Sequence, residues 1–176
     1  MANPNPSPTK SQLRSSMRQT LRDCLLDFSP ACAALDHWLT RHPTCKTIAT
    51  YSALPGEVDL TLISSQHPNR RWVYPKVAGN HLTFHHASAL EPGAFGILEP
   101  AAGSHEVPLQ EIDAFLCPGL AFDLLGNRLG RGLGFYDRLL SQARPDALKI
   151  GICFPFQIVS DLFHETHDVK MDQVLY

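Results

Sequence analysis

The sequence feature that most constrains the fold is an alternation between short apolar runs and segments with helical spacing. Three of these runs, TIATYSAL (47–54), the start of IDAFLCPGLAF (112–122), and LKIGICF (148–154), are typical of strands buried on both faces of a sheet. A shorter run, DQVLY (172–176), predicts one further strand. Because buried strands that alternate with helices form mainly parallel sheets, we predict an α/β fold.

Two helices are predicted before the first of these strands. Thr9 and Gln12 match a capping box, and apolar residues recur at three- and four-residue spacing over residues 13–28. Ser29 is the expected cap of a second helix, which Pro43 ends. Both helices are amphipathic, so we expect them to pack on the sheet.

The middle of the chain predicts a short helix, a ribbon and an irregular segment. The helix is expected around residues 60–63. RWVYPKV (71–77) and HLTFHH (81–86) flank a Gly-Asn turn and predict an antiparallel pair of strands. Residues 91–108 are rich in proline and glycine, and we expect them to wrap the surface.

Composition excludes several classes of protein. The chain has 176 residues, 44% hydrophobic and 18% charged, which predicts one globular domain at residues 10–176 after a flexible arm at 1–9. The net charge of −2 gives no overall attraction to nucleic acid. The sequence has no pattern of a signal peptide and no apolar run of membrane-spanning length. We therefore expect a cytoplasmic monomer that binds small molecules rather than nucleic acid or membranes.

The cysteines and histidines do not predict a transition-metal site. Five cysteines occur, none in a C-x-x-C pair, which disfavours a disulfide framework or zinc knuckle and is typical of reduced thiols. HETH (164–167) places two histidines three residues apart, whereas zinc proteases need a spacing of about four with the glutamate between them.

A glycine-rich segment, GNRLGRGLG (126–134), is the main candidate for ligand binding. Its glycines permit turns that place several N–H groups on one side, and Arg128 and Arg131 add donors that suit phosphate. A helix predicted from about residue 135 to residue 143 points its positive end at the same place. Since the spacing matches neither the dinucleotide fingerprint nor the Walker pattern, a tight structural connection is the alternative.

Basic residues also recur along one face of the first helix. Lys10, Arg14, Arg18 and Arg22 are spaced four apart, and they form either a solvated face or, through Lys10 and Arg14, an anion contact. Two separate basic features suit a polyphosphate better than a single carboxylate.

Aspartates follow the glycine-rich segment and recur near the end of the chain. Asp137 lies at the start of the predicted helix, where it either stabilises the helix dipole or, beside a phosphate site, binds Mg²⁺. Asp168 and Asp172 are candidates for a second ligand. The residues by themselves leave these alternatives open.

The segment PGLAFDLLGNRLGRGLGFYDRLL (118–140) resembles the signature of the 5-formyltetrahydrofolate cyclo-ligase family, also called methenyltetrahydrofolate synthetases. Further similarities occur in the family's order, namely KSQLR, YSALPGEVDL, YPKV, the LTF after it, FGILEP and HDVKMDQVLY. The glycine motif is specific, and the ordered series covers most of the chain.

The resemblance implies a three-layer α/β/α fold with a mainly parallel central sheet, NagB/RpiA/CoA-transferase-like (Rossmann-like). It also implies an enzyme of folate one-carbon metabolism that uses ATP and Mg²⁺. The reaction closes 5-formyltetrahydrofolate to 5,10-methenyltetrahydrofolate with release of ADP and phosphate. In this reaction the formyl oxygen receives the γ-phosphoryl group, and nitrogen 10 then attacks the activated carbon.

The resemblance also implies residue roles. It assigns ATP binding to Lys10, Arg14, Arg128, Leu129, Gly130, Arg131, Gly132, Leu133, Gly134, Phe135 and Tyr136. It assigns folate binding to Ser52, Glu57, Arg131, Gly132, Leu133, Gly134 and Phe135, with Glu57 at the pterin and Tyr51 adjoining. Arg131 and Asp137 are the implied catalytic residues, and Asp137 and Asp168 the implied Mg²⁺ ligands.

The chain departs from the family pattern at two positions in the glycine-rich segment. Leu133 stands where glycine or lysine is usual, and Phe135 replaces a common tyrosine. Leu133 motivates an alternative, a nucleotide- or folate-binding relative with altered catalysis and a regulatory role. A sugar-phosphate or CoA enzyme on a similar fold is a third hypothesis, since fold does not fix function.

Overall fold

In a computed structural model of the chain, the described residues form one central sheet of seven strands and two short ribbons beside it. The strands are β1 (Thr47–Ala49), β2 (Arg71–Ala78), β3 (His81–His86), β4 (Leu90–Pro92), β5 (Leu98–Pro100), β6 (His105–Val107), β7 (Ala114–Pro118), β8 (Ala121–Phe122), β9 (Arg128–Leu129), β10 (Leu148–Ile152) and β11 (Gln173–Leu175). The α-helices are α1 (Lys10–Asp23), α2 (Ser29–Arg41), α3 (Thr61–Gln66) and α4 (Phe135–Leu140). The structure describes residues 9–162, 165 and 168–176.

The predicted mainly parallel sheet is confirmed. Its strands lie in the order β11-β10-β7-β1-β2-β3-β6. The strands from β11 to β2 in that order are parallel to one another, whereas β3 and β6 extend the β2 edge in antiparallel register. The β4–β5 and β8–β9 pairs form the separate ribbons.

Helices cover both faces of this sheet, which confirms the three-layer prediction. Successive strand residues point to opposite faces, so Leu116 of β7 packs in one core with Trp38 of α2. Its neighbour Phe115 packs in the other core with Leu139 of α4. Helices α1 and α3 contribute to the same core as α2.

The first two helices form as predicted, but the boundary between them differs. The Thr9–Gln12 capping box is present, with the Gln12 N–H donating to Thr9 Oγ1 at 3.3 Å. Helix α1 ends at Asp23 because the apolar stripe is not buried beyond Leu21, and Cys24 is exposed. Helix α2 begins at Ser29, and Phe28 occupies its cap position. The prediction that Ser29 caps this helix is therefore wrong.

Two predicted segments of the middle region also differ from the structure. The run at 47–54 is a strand only over β1, because the chain then leaves the sheet and Tyr51 donates its hydroxyl to the Val58 carbonyl at 2.9 Å. Residues 91–108 are more regular than expected. They contain β5 and β6, and Val107 of β6 pairs with Phe84 in the central sheet.

Some predictions concern residues outside the described part of the chain. The flexible arm at 1–9 lies there apart from Thr9, and so does HETH (164–167) apart from Glu165. Within the described residues, no helix combines the length and apolar character that a membrane span requires.

Candidate active site

A cavity of about 1050 Å³ opens beyond the carboxyl ends of β1 and β7. Tyr51 and Ser52 line it after β1, and Pro118 and Gly119 line it at the end of β7. Open α/β sheets bind ligands at this edge, because the loops that leave parallel strands meet there. Small-molecule sites commonly measure about 300–1,000 Å³, so this cavity is as large as the largest of them.

The residues that the sequence assigns to ligands come together on this cavity. Its lining includes Lys10, Arg14, Ser52, Glu57, every residue from Arg128 to Asp137, and Asp168. Arg18 and Arg22 are not part of this lining. Asp172 also lies elsewhere, where its carboxylate accepts the Lys149 N–H at 2.7 Å. Of the basic face, Lys10 and Arg14 therefore lie at the cavity, and of the two aspartates near the end of the chain only Asp168 does.

The glycine-rich segment bends around the first helix. Gly132 and Gly134 have φ angles of 105° and 67°, in the left-handed region that favours glycine. Arg14 Nε donates to the Gly130 carbonyl at 3.0 Å, and Arg18 donates to the following carbonyl at 3.2 Å. Helix α1 thus fixes the course of this segment. The hydrogen bond of Arg18 gives this residue a structural role that needs no ligand.

Helix α4 is shorter than predicted. It begins at Phe135 but ends at Leu140 rather than near residue 143. Beyond Leu140 the chain continues in turns, in which the Gln142 and Ala143 N–H groups donate to the carbonyls three residues earlier. Since the dipole of so short a helix is small, attraction for phosphate at this place depends on side-chain cations.

Arg128 carries one of these cations into the interior. Its side chain is 4% exposed, and Nη2 lies 3.1 Å from Asp137 Oδ1. The guanidinium also lies over the Tyr136 ring at 5.2 Å, while its Nε has no hydrogen-bond partner among the described residues. This leaves a buried cation with one unused donor beside the cavity.

Lys10 brings a second cation to the cavity and bridges two carboxylates. Its Nζ lies 2.7 Å from Asp168 Oδ2 and 3.2 Å from Glu165 Oε2. Burial lowers the pKa of Lys10, but the hydrogen bonds and charges of Asp168 and Glu165 outweigh it, so the net pKa is raised. The ammonium therefore stays charged at neutral pH.

Glu57 and Arg131 form an ion pair in the wall of the cavity. Arg131 Nε and Nη2 each lie 2.9 Å from Glu57 Oε1, and the Leu54 N–H donates to Oε2 at 3.0 Å. Burial raises the pKa of Glu57, while the Leu54 hydrogen bond and Arg131 lower it, and the net direction is upward. Glu57, which the resemblance assigns to folate, and Arg131, which it assigns to both ATP and folate, are thus joined in one ion pair.

Two tyrosines add neutral hydroxyl groups to the same wall. Tyr51 and Tyr136 both line the cavity. Burial raises the pKa of each hydroxyl well above its ordinary value. The next largest cause is the nearby Glu57 charge for Tyr51 and the Cys117 thiol for Tyr136. Both side chains are therefore protonated, and the Tyr51 hydroxyl donates to the Val58 carbonyl at 2.9 Å.

The donor set beside the glycine-rich segment fits Mg²⁺. Asp137 and Asp168 both line the cavity, and the Val169 N–H reaches Asp137 Oδ1 at 3.5 Å, which places the two segments together. No cluster of three or more His, Cys, Asp or Glu occurs among the described residues. Carboxylates in such small number suit Mg²⁺, which completes its shell with water and substrate phosphates.

The sequence analysis missed one wall of the cavity. Pro75, Val77, Leu82, Ile97 and Glu99, on or beside β2, β3 and β5, form this wall, and four of the five are apolar. The signal was present in YPKV, LTF and FGILEP, which match the family in order but carry no charged pattern that predicts a contact.

Asp123, in the AFD part of the long motif, has a structural role. It is fully buried, and Oδ1 accepts the N–H groups of Leu125 at 3.0 Å and Asn127 at 2.9 Å. Its Oδ2 accepts the Leu162 N–H at 3.0 Å. This carboxylate fixes the turn between β8 and β9 and is not part of the cavity lining.

The two departures from the family pattern lie at the cavity but disturb no charged contact. Leu133 is 55% exposed, and its carbonyl accepts a hydrogen bond from Arg138 Nη2 at 3.0 Å. The guanidinium of Arg138 also lies over the Phe135 ring, 5.4 Å from its centroid. A leucine is accommodated at position 133 because its side chain projects toward solvent.

Comparison with known proteins gives a consistent result. The model of the 5-formyltetrahydrofolate cyclo-ligase family matches residues 6–176. A 5-formyltetrahydrofolate cyclo-ligase of Haemophilus influenzae is 34% identical over 141 residues, 74% of this chain and 75% of that protein. The enzyme of the same name from Escherichia coli K12 is 33% identical over 139 residues, 73% of this chain and 76% of its own.

Solved structures agree in fold. The NMR structure of Aquifex aeolicus 5,10-methenyltetrahydrofolate synthetase has a TM-score of 0.79 at 34% identity, over 94% of this chain and 88% of that chain. A 5,10-methenyltetrahydrofolate synthetase from Mycoplasma pneumoniae also has a TM-score of 0.79, at 28% identity, over 96% of this chain and 98% of its own.

Proposed function

The chain belongs to the 5-formyltetrahydrofolate cyclo-ligase family, and from this premise we propose that its cavity closes 5-formyltetrahydrofolate to 5,10-methenyltetrahydrofolate at the expense of ATP. ADP and phosphate are the other products. The observation that carries the proposal is that one cavity holds a cationic side, with Lys10, Arg14 and Arg128, and a separate Glu57–Arg131 pair.

The cationic side is the place for the ATP phosphates. Lys10 and Arg14 approach from α1, and the buried guanidinium of Arg128 adds positive charge from β9. Guanidinium groups and backbone N–H groups of a glycine-rich turn both suit phosphate oxygens. Together they neutralise charge that a polyphosphate would otherwise bring close to Asp137 and Asp168.

The two aspartates would hold Mg²⁺ between the protein and the phosphates. When bound, this ion would supply positive charge that offsets the charge of the substrate phosphates. Arg128 Nη2 lies 3.1 Å from Asp137, and Lys10 Nζ lies 2.7 Å from Asp168. These two cations therefore position the aspartates. The carboxylates are thereby held at the cavity before any ligand arrives.

The pterin binds at the part of the cavity wall that contains Glu57. A carboxylate accepts two N–H donors of a flat heterocycle side by side, and Tyr51 and Ser52 adjoin it. Arg131, paired with Glu57 and 34% exposed, can contact the phosphoryl group as it passes between the substrates. Positioning and charge neutralisation are the main tasks of a phosphoryl-transfer site.

The chemistry explains the need for ATP. A formyl oxygen is a poor leaving group, so the γ-phosphoryl group is transferred to it first. Nitrogen 10 then attacks the activated carbon, and the carbon–oxygen bond breaks as phosphate leaves. The cavity's cations stabilise the charge that develops on the transferred group.

We also infer that the enzyme works as a cytoplasmic monomer with one domain at residues 10–176. The five cysteines are free thiols, which supports a reducing compartment. The contact of Lys10 with Asp168 joins the two ends of that range, which supports a single domain.

The test is to mix the purified protein with 5-formyltetrahydrofolate and MgATP. The methenyl chromophore and ADP should form together in equal amounts, and omission of either substrate should abolish both. Absence of product, where a relative such as the Escherichia coli enzyme is active, would contradict the proposal. Calorimetric binding of both substrates without turnover would instead support the regulatory alternative.

A further inference from the structure

Glu99 differs from the other acidic side chains of the cavity. Five carboxylates line it, those of Glu57, Glu99, Asp137, Glu165 and Asp168. Four of them are ion-paired, with Arg131, Arg128 or Lys10. Glu99 has no ion pair with any residue that the structure describes, although it is only 8% exposed.

The hydrogen bonds of Glu99 use one of its two oxygens. Oε1 accepts the Ala94 N–H at 3.2 Å and the Val77 N–H at 3.4 Å. No hydrogen bond to Oε2 is made within residues 9–162, 165 and 168–176, and Oε2 is not fully buried. One oxygen therefore anchors the side chain, and the other remains accessible at the cavity wall.

The charged neighbours of Glu99 do not neutralise it. Glu91 is its register partner on β4, so the nearest cross-strand residue has the same charge. Lys76 on β2 donates its ammonium to the Pro100 carbonyl at 3.1 Å and makes no ion pair with Glu99. Glu99 is therefore a carboxylate in a mainly apolar wall without a counter-ion among the described residues.

We propose that Glu99 is the catalytic base that removes the proton from nitrogen 10 during ring closure. The proposal rests on the function proposed above. Nitrogen 10 of 5-formyltetrahydrofolate carries a hydrogen that the methenyl product lacks, so the reaction needs a proton acceptor. After nitrogen 10 has attacked, its N–H is strongly acidic, and a carboxylate suffices as the base.

The step balances as follows. The nitrogen lone pair forms the new bond to the phosphorylated formyl carbon. Glu99 Oε2 takes the nitrogen's proton and returns the N–H electron pair to nitrogen. The carbon–oxygen bond then breaks, phosphate leaves with the bonding pair, and the cationic methenyl ring remains.

The apolar wall places Glu99 near this atom. Nitrogen 10 is bonded directly to the benzoyl ring of the folate, and that ring needs an apolar surface. Val77, Leu82 and Ile97 provide such a surface around Glu99. The other candidate, Glu57, is ion-paired with Arg131 and is the residue proposed above to bind the pterin rather than to face nitrogen 10.

The decisive variant is Glu99→Gln, which keeps an amide oxygen for the Val77 and Ala94 N–H groups but cannot accept the proton. We expect kcat to fall about a hundred-fold or more, with KM for both substrates within about three-fold of the wild type. In a single turnover, ADP should still form quickly while the methenyl chromophore appears slowly. This separation does not depend on how much of the variant is folded.

The matched control is Glu91→Gln, the exposed partner on β4, which should retain wild-type kcat. Glu99→Asp should recover part of the chromophore rate, since a carboxylate is restored. Equal slowing of ADP and chromophore in Glu99→Gln, or a raised KM with kcat preserved, would overturn the proposal in favour of a binding or structural role. A wild type without any product would instead overturn the proposed function itself.

Discussion

Glu57 is the residue at which burial and charge oppose each other most directly. Its side chain is 7% exposed, and burial raises its pKa above the ordinary 4.5 even though Arg131 and the Leu54 N–H act in the other direction. A carboxyl group whose pKa is higher in the folded state stabilises the fold below its unfolded pKa. That contribution is lost as the pH rises through the folded pKa.

This sign predicts the pH dependence of a Glu57→Gln variant. The variant has no titrating group at position 57 and lacks this loss. The free energy of unfolding of the variant minus that of the wild type should therefore increase as the pH rises from about 4 to 7. Urea denaturation at several pH values measures the difference. Glu106→Gln on β6 controls for the change in net charge, and a Glu57→Gln advantage that shrinks with rising pH would refute the assignment.

A second residue-scale prediction separates the two ligands. Asp137→Asn keeps an oxygen that can accept from Arg128 but loses the charge, so KM for MgATP should rise at least about ten-fold with little change for folate. Glu57→Gln should do the opposite and raise KM for 5-formyltetrahydrofolate. Steady-state kinetics with each substrate varied provides the measurement, and equal losses for both substrates in each variant would argue against separate roles.

The sequence could identify residues whose chemistry is visible in their type and spacing. Lys10, Arg14 and Asp168 were predicted at a ligand site and lie on one cavity. Glu99 and Asp123 were not distinguished from other acids, because their roles depend on burial and on backbone N–H groups brought from distant segments. No pattern along the chain records which carboxylates acquire an ion pair and which do not.

At the scale of elements, the turn between β8 and β9 depends on Gly126. Its φ is 84°, and a Cβ on this residue would lie 2.3 Å from the Met171 carbonyl oxygen. Gly79, in the turn between β2 and β3, also has a positive φ, 64°, but a Cβ there would meet nothing within 4 Å. The two glycines therefore share the conformational constraint and differ in the steric one.

This difference predicts unequal costs for alanine at the two positions. Gly79→Ala should lower the free energy of unfolding by about 1–2 kcal/mol, the usual cost of left-handed backbone for a residue with a Cβ. Gly126→Ala should cost more, because the Met171 carbonyl must also move. Urea denaturation of both variants compares them, and an equal loss would show that the segment at Met171 yields without cost.

Element boundaries were harder to predict than element types. The alternation of buried runs correctly indicated β1, β7, β10 and β11, since short apolar runs bounded by turn residues are typical of buried strands. The end of α1 was wrong because an apolar stripe continues past the point where the helix loses its contact with the sheet. Strand β6 was missed because His105 and Glu106 are polar and exposed, so this strand has no apolar run.

At the scale of the whole molecule, the cavity joins distant parts of the chain. Lys10 and Arg14 come from the first helix, Glu57 follows β1, and Asp168 precedes the last strand. The parallel order of the strands predicts the edge at which these segments meet. It does not predict the antiparallel extension by β3 and β6, which depends on hairpin pairing rather than on helix crossovers.

This arrangement predicts that MgATP stabilises the whole fold. A ligand that binds only the native state adds about 2.7 kcal/mol at a hundred times its Kd, so the Tm should rise clearly with MgATP. Lys10→Met should reduce that rise, because the ammonium is proposed to bind phosphate and offsets the charges of Asp168 and Glu165. Arg41→Met, at the end of α2 and outside the cavity, is the control and should keep the full shift. A full MgATP shift in Lys10→Met would mean that α1 closes the cavity without contacting the nucleotide.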